Sequence, residues 1–64
     1  MVEVGDSIII NKEVEAIITV LFLVQDGRWF IGYKVKNLKE EGYFLEGDQK
    51  FEVIDRQVDR MRYI

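Results

Sequence analysis

The stretch from Glu15 to Asn37 constrains the fold more than any other part of the chain. It is an apolar run that turns at Asp26-Gly27 and returns as Trp29-Phe30-Ile31-Gly32-Tyr33-Lys34-Val35. Asp-Gly between two β-rich runs is a strong hairpin signal, because both central residues of a type I′ turn need positive φ, which Gly and Asp tolerate. A two-residue turn opposes Val24 to Trp29, Leu23 to Phe30, Phe22 to Ile31, Leu21 to Gly32, Val20 to Tyr33 and Ile18 to Val35. Side chains alternate across a sheet, so Ile18, Val20, Phe22 and Val24 share one face with Val35, Tyr33, Ile31 and Trp29. That face is wholly apolar or aromatic and is expected to be the core.

The opposite face is polar at one end, with Lys34 and Lys36, and apolar beside the turn, where Leu21, Leu23 and Phe30 surround Gly32. Two readings of this patch stay open. The long strand bends, as in small closed barrels, and its two halves bury opposite faces, with Gly32 allowing the bend. Alternatively the patch is exposed and marks a subunit or partner interface made by Leu21, Leu23, Phe30 and Gly32.

Residues 1 to 64 are expected to form a single domain near the lower size limit for independent folding. With no Cys and no His, disulfides and zinc are not expected to supplement the core, which raises the expectation of a homo-oligomer. The longest apolar run, Ala16 to Val24, is well short of the roughly 20 residues of a membrane-spanning helix, and the N-terminus lacks a signal-peptide pattern. A cytoplasmic protein with no membrane partner is expected.

Elsewhere, Gly5-Asp6 leads into a first strand, Ser7 to Asn11, with Ile8 and Ile10 on one face and Ile9 on the other. A second strand of about ten residues starts near Val14, and a fourth starts at Tyr43 after the polar connection from Lys36 to Gly42. Gly47-Asp48-Gln49 reads as a hairpin in preference to a bulged corner. At the end, Ile54, Val58 and Met61 fall at helical spacing behind Asp55, a good N-cap, which predicts one to two turns of 3₁₀ or α-helix, while Met61 to Ile64 could equally close the sheet as a short final strand.

The fold class is therefore all-β, a mostly antiparallel meander of about five strands with a short helical turn near the C-terminus. This pattern resembles the SH3-like small barrels, the group that includes Tudor and chromo-barrel domains. The likeness rests on Gly5-Asp6, Asp26-Gly27, Trp29 to Tyr33 and Val58-Asp59-Arg60-Met61. A second, local likeness is to plasmid-borne type II dihydrofolate reductases, carried by Asn37-Leu38-Lys39-Glu40-Glu41-Gly42-Tyr43. Those enzymes are SH3-like tetramers with one active site in a central pore. Their pore strand reads Val-Gln-Ile-Tyr, where this chain has Phe51-Glu52-Val53-Ile54, without the amide and the phenol.

Chemistry-bearing groups are sparse. The single Ser, Ser7, has no visible base, and the glycines lack the spacing of a phosphate-binding loop. Neither a catalytic site, a cofactor nor a metal is expected. Trp29, Tyr43 and Phe44 could form an aromatic cage only if their rings converge; core filling is the preferred account. A nucleic-acid surface would use Lys34, Lys36, Arg56, Arg60 and Arg62, against a net charge of −3 and an alternation of Arg56 and Arg60 with Asp55 and Asp59. The expected function is a non-enzymatic binding module or regulatory subunit that contacts protein and self-associates. Nucleic-acid binding is the alternative, and a type II reductase-like pore enzyme is a more remote one.

Overall fold

A computed structural model describes residues 2 to 58. Five strands form one antiparallel sheet: β1 (Ser7–Ile10), β2 (Val14–Leu23), β3 (Trp29–Val35), β4 (Glu41–Leu45) and β5 (Phe51–Asp55), in the order β4-β3-β2-β1-β5. The first four strands form a meander. The chain then crosses to place β5 beside β1 at the far edge.

The sheet curls without closing. Phe44 on β4 meets Phe51 on β5 across the concave side, with ring centroids 5.4 Å apart, yet the ladder ends at these two strands. Ile8, Ile10, Ala16, Ile18, Ile31 and Phe44 fill the concavity, and Val2, Leu21, Trp29, Tyr33, Phe51 and Val53 pack around them. The expected alternation in β1 is observed, with Ile8 and Ile10 buried and Ile9 half-buried.

The β2–β3 hairpin forms where expected, but its loop and register differ from the expectation. The loop holds three residues. Val24 N–H donates to Arg28 O at 2.8 Å and Gly27 N–H to Val24 O at 3.0 Å, with only Gly27 left-handed at φ +89°. This is a turn followed by a left-handed residue, the usual three-residue hairpin. Asp26 keeps negative φ and uses its carboxylate instead, accepting from Arg28 N–H and pairing with the Arg28 guanidinium at 2.9 Å. The extra loop residue opposes Leu23 to Trp29, Phe22 to Phe30, Leu21 to Ile31 and Val20 to Gly32.

A bulge at Thr19 separates this register from that of Ile18 with Tyr33. One inserted residue reverses the facing of everything beyond it. Leu21 and Leu23 consequently take the concave side with Ile31 and Trp29, while Val20 and Phe22, expected in the core, stand on the convex side at 44% and 49% exposure. The core expectation holds for Ile18, Ile31, Tyr33 and Trp29 and fails for Val20 and Phe22, and Val24 and Val35 are half-buried outside the core cluster.

The expected β4–β5 hairpin is absent; Glu46 to Lys50 is a corner in which Asp48 N–H donates to Leu45 O at 2.9 Å and Gly47 is left-handed. Only Gln57 and Val58 are helical among the described residues. The remainder of the expected turn, and the final strand, lie outside them. The Gln57 N–H is capped by buried Asp6, whose carboxylate accepts from it at 2.8 Å and from Glu3 N–H at 2.9 Å. No helix among the described residues is long and apolar enough to cross a membrane.

Candidate protein-interaction face

The convex face of β2, β3 and β4 carries the most unusual surface on the molecule. Phe22, Phe30 and Tyr43 come from three adjacent strands and form a continuous stack. The Phe22 and Phe30 centroids are 4.6 Å apart with rings 16° from parallel, and those of Phe30 and Tyr43 are 5.1 Å apart at 20°. These spacings are close to the separation of neighbouring strands, about 4.8 Å. The rings therefore stand up from the sheet, cover each other's faces and present their edges to solvent. Tyr43 is 71% exposed.

Gly32 lies at the foot of this ridge, directly opposite Val20. A Cβ at Gly32 would sit 2.9 Å from the Cβ of Val20. The glycine gives Val20 room to pack over the strand, and Thr19, Val20, Phe30, Gly32 and Tyr43 line a shallow groove there together with Tyr33, Glu41 and Gly42.

The structure divides the residues expected at the interface. Phe30 and Gly32 are on the convex ridge, whereas Leu21 and Leu23 are on the concave side. Leu21 packs against the core and Leu23 is 57% exposed near the hairpin end. Val20, Phe22 and Tyr43 are ridge residues that the two-residue-turn register did not place there. The available clue was Thr19, the polar residue interrupting the apolar run, which is the site of the bulge.

Among the described residues, the cations expected at a nucleic-acid surface are not gathered in one place. Lys34 and Lys36 line a second convex groove with Lys39, Ile17, Thr19 and Leu38. Arg56 follows β5 at the far edge, with β2 and β1 between it and β3 in the sheet order. Arg60 and Arg62 lie outside the described residues. Arg28 is held at the hairpin tip by Asp26 and by Asp48 at 3.7 Å. The Asp26 carboxyl is lowered from its ordinary 3.8, first by the Arg28 backbone N–H and then by the Arg28 side chain.

The three rings considered for a cage do not converge. Trp29 and Phe44 belong to the concave side, and Tyr43 projects from the convex one. Ser7 is buried opposite Asp55 in the β1–β5 ladder. Among the described residues, no three Asp or Glu side chains cluster in a way that could hold a metal ion. In comparisons with known proteins, the chain matches no family model, no curated protein and no solved structure.

Proposed function

We propose that this chain is an open variant of the SH3-like small barrel that works as a non-enzymatic protein-binding module and self-associates through the side of the sheet carrying the aromatic ridge. The observation that carries this reading is the exposed Phe22–Phe30–Tyr43 stack. Aromatic side chains are enriched at the centres of protein interfaces, where large apolar area is buried at little entropic cost. A ridge of upright rings beside the Gly32 groove has relief that a complementary protein surface can match. Beyond the bulge at Thr19, Phe22 faces solvent at 49% exposure and stacks on Phe30.

The ring orientation weighs against the nucleic-acid alternative. Single-strand binders stack bases on open ring faces, and here the faces are occupied by neighbouring rings except at the ends of the stack. The observation favouring that alternative is the groove shared by Lys34, Lys36 and Lys39.

The test is solution mass by light scattering across a dilution series, for the parent and for Tyr43→Lys. The expected result is a concentration-dependent oligomer that Tyr43→Lys weakens by about tenfold or more, the scale of losing one interface anchor, without changing the far-ultraviolet spectrum. An oligomer unaffected by Tyr43→Lys would remove the ridge from the interface.

A further inference from the structure

We infer that the self-association proposed above is an antiparallel pairing of the β4 edge with the β4 edge of a second copy, with Tyr43 on the two-fold axis. The inference rests on the protein-binding reading and specifies its partner and geometry.

The backbone of β4 indicates which groups are available. Val35 N–H donates to Glu40 O and Glu46 N–H donates to Trp29 O, which marks Glu40 and Glu46 as residues whose backbones face β3. Alternation within an antiparallel ladder gives Gly42 and Phe44 the same role. Glu41, Tyr43 and Leu45 therefore direct their N–H and C=O groups away from β3, and no strand among the described residues pairs with that edge. An edge of this kind is self-complementary. Placing Tyr43 opposite its symmetry mate lets the two Tyr43 backbones exchange N–H and C=O bonds and sets each Glu41 opposite Leu45 of the other copy, with the Glu41 N–H taking the second lone pair of a Leu45 carbonyl that already accepts from the Asp48 N–H at 2.9 Å.

Three further observations favour this edge and this partner. The aromatic stack runs across the strands and ends at Tyr43 only because the sheet ends there, so pairing through Tyr43 continues it into the second copy on the same face. Open edges in native sheets are commonly protected by Lys, Pro or bulges. β4 has none of these, carries Glu41 as its one charge and keeps a regular register with β3, whereas β5 has a bulge against β1 and carries both Glu52 and Asp55. Finally, an antiparallel arrangement brings the β3–β4 turn of one copy, with Lys36 and Lys39, toward the Glu46–Asp48 corner of the other. Glu46 itself is turned back toward the Trp29 N–H at 3.4 Å, which lessens its opposition to Glu40 across the axis. Five residues a side make a small contact, so the dimer is expected to be weak and to dissociate on dilution.

Amide hydrogen exchange of the labelled parent protein, measured over a concentration series alongside light scattering, tests the inference. Edge pairing predicts that the Tyr43 N–H becomes protected as concentration rises, while Gly42 and Phe44 are protected throughout. Glu41→Pro removes an outward donor at the first residue of the strand, where Pro is tolerated, and is expected to weaken the dimer about tenfold or more through the two symmetric bonds lost. Glu41→Ala, which keeps the N–H, is expected to leave it within a few-fold. If the protein self-associates with Tyr43 exchange independent of concentration, the contact is face to face; edge pairing is then overturned and the protein-binding reading survives. A monomer at every concentration overturns both the edge pairing and the self-association. Should Glu41→Pro fail to fold, the exchange pattern of the parent decides.

Discussion

Asp26 shows how a single side chain compensates for a turn type that its sequence does not suggest. Asp-Gly favours a turn with two left-handed residues, but Asp26 stays right of that region because its carboxylate gains the Arg28 N–H and guanidinium as donors. These contacts lower the carboxyl below its ordinary 3.8. The sign follows: a group whose folded pKa is depressed contributes stability above the unfolded value, and that contribution is lost as pH falls through the folded value. Asp26 is fully exposed, so the effect is confined to acid conditions and screened by salt. A carboxyl titration by nuclear magnetic resonance is expected to place Asp26 below its ordinary 3.8. Arg28→Ala should raise it only partway, because the backbone N–H, the largest contributor, remains.

At the scale of one element, β2 serves two surfaces by means of its bulge. Ala16 and Ile18 face the core before Thr19, and Leu21 faces it after, so the strand supplies core residues along most of its length while Val20 and Phe22 are turned outward. Deleting Thr19 is expected to keep the facing of the strand, because Ile18 opposite Tyr33 is then followed directly by Val20 opposite Gly32, leaving Leu21 inward and Phe22 outward and removing only the local bend of the bulge. Thr19→Ala removes only an exposed side chain. Thermal unfolding checks both: Thr19→Ala should melt within a few degrees of the parent, on the basis that surface changes cost about 0.5 kcal/mol or less. The deletion should keep a cooperative transition; its loss would show that the fold needs the bend itself.

For the whole molecule, the open curl of the sheet is held at two places. Phe44 and Phe51 join its two edge strands through the core. On the other side, Asp6 ties the N-terminal turn to the start of the C-terminal helical residues, 51 positions away in the chain. Asp6 is 1% exposed, and both its oxygens accept from backbone N–H groups. Asp6→Ala is expected to cost about 1–3 kcal/mol, the usual penalty for leaving such donors without their acceptor. The check is the urea midpoint; an unchanged midpoint would show that the clasp adds nothing to stability. Among the described residues, neither contact adds a strand to the β4 edge.

The amino-acid sequence by itself determined what depends on near neighbours: the all-β character, the strands around Ile8, Ile18 and Ile31, the hairpin at Asp26-Gly27, and Gly32 as a point of close approach. Those features follow from alternation and turn chemistry within a few residues. Only the tertiary structure decided which side Val20, Phe22, Leu21 and Leu23 occupy, because one residue in the loop and one at Thr19 reverse the pattern, and the energy that selects those insertions comes from packing against Ile31, Trp29 and the other strands. The ridge was missed for the same reason. Phe22, Phe30 and Tyr43 are distant in the chain, and their rings become neighbours only when three strands fix a common register.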